Sequence, residues 1–191
     1  MILIFDTSSS RLSIGLASDD GTVVQEFHAE AAEGERGIHD ARLAMETERI
    51  LRDAGTRASE ISRIGLIIGP GSFTGLRIGL SFAKGLALAT GAAIVPLTQH
   101  EVIAANSENA GKFIVTAGYR EDLFYVAEWA NPRDIRLVTR EKLPPDFTIA
   151  PHISLESLAK LTASAKEMVS DLAIDGLEPH YITEFKTNAG L

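Results

Sequence analysis

The feature that most constrains the fold is a strand, a glycine-rich loop and a helix that follow one another directly. Residues 64–68 are apolar and mostly β-branched, which indicates a buried strand. Residues 69–72 suit neither a strand nor a helix, because glycine permits positive φ and proline fixes its own φ. A helix is then predicted from Thr74 or Gly75, with Thr74 as its N-cap and Gly91 just past its end.

The predicted helix carries a row of small residues at four-residue spacing, which places them on one face. The row consists of Gly75, Gly79, Ala83, Ala87 and Gly91. Glycine inside a helix costs roughly 1 kcal/mol relative to alanine, so a repeated small face indicates that another element packs closely against it. Two alternatives are open: the face packs on the chain's own sheet, or it docks another subunit. Large apolar residues cover the other sides, so a single sheet cannot cover the whole helix.

The composition narrows the classes of partner and of chemistry. With 191 residues the chain can form one compact domain or two small ones. A net charge of −8 without a cluster of lysine and arginine argues against direct nucleic-acid binding. The absence of cysteine excludes disulfides and thiolate catalysis and is compatible with a cytoplasmic location. Because the first residues lead at once into a short strand, we expect no signal peptide or membrane span.

The remaining patterns predict an α/β chain that begins with a three-stranded antiparallel meander. Its strands are predicted at residues 2–5, 11–17 and 22–28, with a hairpin turn at Asp19-Asp20-Gly21. Later helices are predicted at 38–54, from 98 to about 109 and at 155–166, and later strands at 93–97, 112–117, 123–129 and 135–138. Up to residue 129 the predicted order is β-β-β-α-β-α-β-α-β-β.

The glycine loop fits none of the common phosphate-binding motifs. Gly75 is followed by Leu76 and Arg77, where a P-loop requires lysine and then serine or threonine, and Thr74 stands where a dinucleotide fingerprint needs its third glycine. Ser72 lacks the flanking glycines of a nucleophile elbow, so we expect it to cap the loop or the helix. The five histidines include no pair at four-residue spacing, so no zinc or iron face of the H-x-x-x-H type exists.

Two charged residues remain as candidates for contacts with an anion or a metal. Asp6 ends the first strand beside Thr7 and three serines. It could hold a metal-associated phosphate, or it could cap the turn through its own backbone. Arg77 could meet an anion, a partner's carboxylate or only solvent.

The loop and the start of the helix together resemble the signature of the bacterial TsaB (YeaZ) family. The matching residues are Gly69-Pro70-Gly71-Ser72-Phe73-Thr74-Gly75-Leu76-Arg77-Ile78-Gly79, followed by Ala83-Lys84-Gly85-Leu86. Eleven consecutive matching residues of mixed type make this match specific to the family. The opening Ile4-Phe5-Asp6-Thr7-Ser8 and the spacing from Arg120 to Tyr125 also resemble family segments. The resemblance extends over about residues 1–130.

The resemblance implies an actin-like ATPase fold of the ASKHA (Hsp70 and hexokinase) type. We expect a β-β-β-α-β-α N-terminal subdomain at residues 1–98 and a reduced C-terminal subdomain at 99–191. In that superfamily a nucleotide lies between two such domains, and here the second half is too short for a full one. Thr7 stands where ATP-using relatives often have glycine, so Asp6 and Thr7 are at most a vestigial phosphate site.

Two further positions depart from the family pattern. Gly118 stands in place of the aspartate of the family's D-A-R segment, and the closing P-x-Y-[LV]-R segment ends in Thr183. TsaD, the family's catalytic relative, holds a metal through an H-x-x-x-H pair, whereas His39 is followed four residues later by Leu43. We therefore expect no metal in this chain and no catalysis by it.

The function implied by the resemblance is that of a non-catalytic partner in making threonylcarbamoyladenosine in tRNA. The chain would dock on and activate a TsaD-type transferase. ATP and metal would be supplied through that enzyme and a TsaE-type ATPase, and tRNA would be contacted only indirectly. The same surface would form homodimers when the partner is missing. The alternatives are a stand-alone ATPase or kinase that uses Asp6 and the glycine loop and, less favoured, a metallopeptidase.

The predicted partner surface combines the helices at 38–54 and 75–90 in a bundle across the interface. Its residues are Ile38, Ala41, Arg42, Met45, Gly75, Leu76, Gly79, Leu80, Ala83 and Ala87. The signature loop, with Gly69, Pro70, Gly71, Ser72, Phe73, Thr74, Gly75 and Arg77, is expected to shape the inner edge of this surface.

Overall fold

The structure is a computed structural model that describes residues 1–30, 38–106, 112–118, 120–149 and 153–182. The helices are α1 (Ile38–Asp53), α2 (Phe73–Thr90), α3 (Gln99–Asn106) and α4 (Leu155–Ser164). The strands are β1 (Ile2–Asp6), β2 (Arg11–Ala17), β3 (Val23–Glu30), β4 (Arg63–Gly69), β5 (Ala93–Thr98), β6 (Phe113–Ala117), β7 (Leu123–Glu128), β8 (Asn131–Thr139) and β9 (Phe147–Ile149). Short 3-10 turns lie at Ala58–Glu60, Arg140–Lys142 and Asp171–Ile174.

The first sheet has the strand order β3-β2-β1-β4-β5. The pairs β1–β2 and β2–β3 are antiparallel, whereas β4 is parallel to both β1 and β5. The meander and the β-β-β-α-β-α order are therefore confirmed. The parallel pairs require crossover connections, which α1 and α2 supply.

Helices cover both faces of this sheet, and β1 between them is apolar at each position from Ile2 to Phe5. Leu3 and Phe5 face the core shared with α1 and α2, while Ile2 and Ile4 face the core shared with α3 and α4. Successive side chains of a strand point to opposite faces, so a continuous apolar strand can be buried only between two layers. Full burial of each such side chain contributes roughly 2 kcal/mol.

The second sheet has the strand order β8-β7-β6-β9 and is built from strands in the second half of the chain. The chain then returns to the first sheet, because α4 packs against β1, β2 and β4. This packing is close: a Cβ on Gly65 of β4 would overlap the Thr162 side chain of α4. The division of the chain at residue 98 stays a prediction, and the return of α4 is a feature that the sequence did not indicate.

The ends of α2 confirm one predicted cap and correct the other. Gly91 takes the left-handed conformation at the C-terminus with φ of 77°, as predicted. The helix begins at Phe73 rather than after Thr74, because the Ser72 side chain accepts a hydrogen bond from Gly75 N at 3.2 Å. Ser72 is therefore the N-cap, which agrees with the capping role expected for that serine and makes the Thr74 prediction wrong.

Candidate functional site

The predicted row of small residues on α2 faces the interior of the chain. Gly75, Gly79, Ala83 and Ala87 are all buried. A Cβ on Gly75 would overlap the backbone oxygen of Thr7, and one on Gly79 would overlap the Thr7 side chain. The helix thus crosses the end of β1 in direct contact with it, and Thr7 Oγ1 donates a hydrogen bond to Gly75 O at 2.8 Å.

The prediction that this row docks a partner is therefore wrong, and the alternative of packing on the chain's own sheet is correct. Leu76 and Leu80 are also wrong as partner contacts, since they are only 1% and 5% exposed. Leu76 belongs to the core shared with α3 and α4, and Leu80 to the core shared with α1. At this exposure the two side chains present almost no surface to a partner.

A second row of small residues occupies the opposite side of α2. Ser81, Gly85 and Ala89 repeat at four-residue spacing and are exposed. A Cβ on Gly85 would find no heavy atom within 4 Å, so nothing within the described part of the chain requires a glycine there. Glycine in a helix interior costs roughly 1 kcal/mol. The sequence pattern contained this row, but the first row had the same spacing and more glycine.

Large apolar side chains stand beside this second row. Phe73 is 54% exposed at the start of α2, and Leu88 is 67% exposed near its end. On α1, Met45 is 56% exposed and Ala41 is exposed next to it, one turn earlier. These positions of α1 belong to the predicted partner surface, and their role there stays a prediction. The side chain of Ile38 lies outside the described residues.

A buried carboxylate on α1 holds two arginines of the same helix against β3. Glu46 is only 5% exposed and pairs with Arg42 at 2.9 Å and with Arg49 at 2.6 Å. Burial alone would raise the pKa of the Glu46 carboxyl, but the hydrogen bonds and charges of the two arginines outweigh it and hold that pKa below its ordinary value. Both guanidinium groups also lie over the Phe27 ring of β3. Arg42, predicted as a partner contact, is thus half-buried and engaged within the chain.

Helices α1 and α2 pack side by side on the same face of the first sheet. Their exposed sides therefore form one surface, which we call the outward face. It consists of Ala41 and Met45 of α1 and of Phe73, Arg77, Ser81, Gly85, Leu88 and Ala89 of α2.

The glycine loop is pressed onto the turn that follows β1. Ser72 N donates to Ser8 O at 2.7 Å, and a Cβ on Gly71 would overlap the same oxygen. The Asp6 carboxylate accepts hydrogen bonds from both the backbone and the hydroxyl of Ser8. Asp6 and Thr7 are 5% and 1% exposed. The capping contacts expected of Asp6 are therefore present, and the vestigial phosphate site at Asp6 and Thr7 stays a prediction.

The part of the chain that the structure describes contains no group of three or more histidine, aspartate or glutamate side chains that could hold a metal ion. It also contains no helix with the length and apolar character needed to cross a membrane.

Comparison with known proteins identifies the family. The family model described as "TsaD: tRNA N6-adenosine threonylcarbamoyltransferase" matches residues 35–143, which is more than half of the chain. The tRNA threonylcarbamoyladenosine biosynthesis protein TsaB of Bacillus subtilis is 33% identical over 108 residues, 56% of this chain and 45% of that protein. TsaB of Escherichia coli is 39% identical over 87 residues, 46% of this chain and 35% of that protein. The chain belongs to the TsaD family, and the relatives that it resembles here are TsaB proteins.

The matched regions span less than half of the length of these two TsaB proteins. The likeness to solved structures extends further. YeaZ from Pseudomonas aeruginosa superimposes with a TM-score of 0.73 at 19% identity, covering 95% of this chain and 99% of that one. A second structure, of a protein with similarity to peptidase YEAZ from the same organism, gives a TM-score of 0.75. The resemblance seen in the sequence and the actin-like ATPase fold are both confirmed.

Proposed function

We propose that this chain serves the biosynthesis of threonylcarbamoyladenosine in tRNA as a partner subunit that docks on and activates a TsaD-type transferase. The observation that carries the proposal is Gly85, a glycine in the middle of an exposed helix with open space above it. A helix of another subunit that packs across this position accounts for the glycine, since small residues let two helices approach closely. The apolar side chains around it would supply the buried area.

The hydrogen bonds at the end of β1 agree with a supporting rather than a catalytic role. The Asp6 carboxylate accepts two hydrogen bonds from Ser8, and Ser8 Oγ in turn accepts one from Gln99 at 2.7 Å. Under this proposal the transferase brings the metal and the reacting groups. ATP enters with the transferase or with a TsaE-type ATPase, and tRNA is held by the complex rather than by this acidic chain.

The decisive experiment substitutes Gly85 with leucine and titrates the variant into the TsaD-type transferase of the same organism by calorimetry. Leucine favours the helix and meets no atom of the chain, so we expect the variant to be at least as stable as the wild type. Overpacking a tight contact typically costs about 1–3 kcal/mol, so binding should weaken by about tenfold to a hundredfold.

Gly85→Ala is the matched control, because it removes the same glycine but adds only one methyl group. It should bind within a few-fold of the wild type. Full affinity of Gly85→Leu would move the interface away from α2, and no binding by the wild-type chain would reject the proposal as a whole.

The rival function, an ATPase or kinase that acts alone, makes a different prediction. Such a protein should be stabilised by ATP with magnesium, by an amount that grows with the ligand concentration. We expect no change in the unfolding temperature of the isolated chain with millimolar ATP and magnesium. A clear shift, measured by differential scanning fluorimetry, would favour the rival function.

A further inference from the structure

The last described residues, 175–182, run along α2 in the opposite direction, and we call them the C-terminal strap. Lys84 Nζ donates to Asp175 O at 3.0 Å, and Arg77 Nε donates to Tyr181 Oη at 2.9 Å. Between these two contacts, Leu177 packs against the core that α1 and α2 share. The strap thus lines the flank of α2 that faces away from α1.

The strap is held by the backbone at the end of β4 and by the second sheet. His180 N donates to Ile68 O at 2.7 Å. Gly69 has a φ of 142°, and a Cβ there would overlap the backbone oxygen of His180, so only glycine suits this position. Ile182 packs against Tyr125 and its apolar neighbours in the second sheet. The strap therefore lies in a fixed path that reaches both sheets.

The end of the strap forms an aromatic cluster with two residues of the outward face. The Tyr181 and Phe73 rings are stacked, with centroids 5.0 Å apart and planes at 28°. The Arg77 guanidinium lies 3.9 Å from the centroid of Phe73. All three side chains are exposed. Because Tyr181 contacts both of the others, it restricts their rotamers at a surface where such side chains normally move freely.

We propose that the C-terminal strap is a positioning element of the partner surface and that Tyr181 orients Phe73 and Arg77 for contact with the partner subunit. This inference rests on the proposed function. Side chains that are ordered before binding lose less conformational freedom on binding, and arginine and aromatic residues commonly dominate the energy of interfaces.

The arrangement also specifies the chemistry that the partner presents. Within the described ranges, Arg77 forms no ion pair, and its one hydrogen bond to Tyr181 uses Nε. The two Nη groups are left to donate to a carboxylate, which a guanidinium binds well. We infer a partner surface in which a carboxylate meets Arg77 and an apolar side chain covers Phe73.

The test compares Tyr181→Phe and Tyr181→Ala of the full chain in titrations of the TsaD-type transferase. Phenylalanine keeps the stack on Phe73 and loses the bond to Arg77, so we expect affinity to fall about threefold. Alanine loses both contacts, and affinity should fall about tenfold. In the free protein, the Arg77 Nε–H signal in ¹⁵N NMR should exchange slowly in the wild type and rapidly in both variants.

A double-mutant cycle separates positioning from general destabilisation. If Tyr181 acts through Arg77, the losses from Tyr181→Ala and Arg77→Met should be clearly less than additive, while those from Tyr181→Ala and Met45→Ala should add. Unchanged affinity of Tyr181→Ala, in a system where Gly85→Leu weakens binding as expected, would overturn the strap inference alone. Additivity with Arg77→Met would do the same. Absence of binding by the wild type would overturn both this inference and the proposed function.

Discussion

Gly75→Ala is expected to destabilise the chain by about 3 kcal/mol, although alanine is the better helix former. The added methyl group would overlap the backbone oxygen of Thr7, which also lies in the turn capped by Asp6. Backbone held in this way cannot move aside without breaking other contacts, including the bond from Thr7 Oγ1 to Gly75 O. The cost of overpacking therefore exceeds the gain in helix propensity.

Two further glycines of α2 supply controls in the same helix with the same propensity gain. Gly79→Ala should cost less than Gly75→Ala, because its methyl group meets the Thr7 side chain rather than the backbone, and that side chain can turn away at the loss of its one bond to Gly75 O. Gly85→Ala should stabilise by up to about 1 kcal/mol, because its methyl group meets nothing. Urea unfolding at pH 7 measures all three. Equal stability of Gly75→Ala and the wild type would contradict the seating of α2 on the end of β1.

The different effects expected at these three glycines also show how much of the packing of α2 could be predicted from the sequence. Spacing alone identified a helix with a closely packed small face, and Gly91 marked its end. Spacing could not choose between the buried row and the row at Ser81, Gly85 and Ala89, because both consist of small residues repeating every four positions. The choice is made by Thr7, which lies 68 residues before the glycine that it contacts.

Elements built from local pattern were predicted well, and those that depend on distant contacts were not. The meander and the central strand followed from apolar runs and turn residues, and the family signature gave the fold. The return of α4 to the first sheet depends on Gly65 and Thr162, and the strap depends on a bond between residues 104 positions apart. β9 has only three residues, too few for a recognisable pattern.

A second large effect is expected from His100, which is fully buried in α3. Its Nε2 lies 3.3 Å from the backbone oxygen of Tyr125, and its Nδ1 has no hydrogen-bond partner within the described part of the chain. Burial lowers the pKa of this imidazole from 6.5 to about 4, although the bond to Tyr125 acts in the opposite direction and nearby His180 lowers it further. The folded protein thus contains a neutral histidine that donates from Nε2.

The consequence is a loss of stability as the pH falls from about 6.5 to about 4. Above this window His100 is neutral in both states and the full stability is present. Within it the unfolded chain binds a proton that the folded chain does not, so the free energy of unfolding decreases by about 1.4 kcal/mol per pH unit, or about 3 kcal/mol in total.

His100→Gln isolates this effect, because glutamine can donate to Tyr125 O and does not titrate. The free energy of unfolding of both proteins is measured with urea from pH 7 to pH 4. The carboxylates titrate in both proteins, so their contribution cancels in the difference between the two pH profiles. We expect the variant to be the less stable protein at pH 7, since its shape fits the cavity less well, and to lose about 3 kcal/mol less over the window. Parallel pH profiles of the two proteins would mean that His100 is not held neutral.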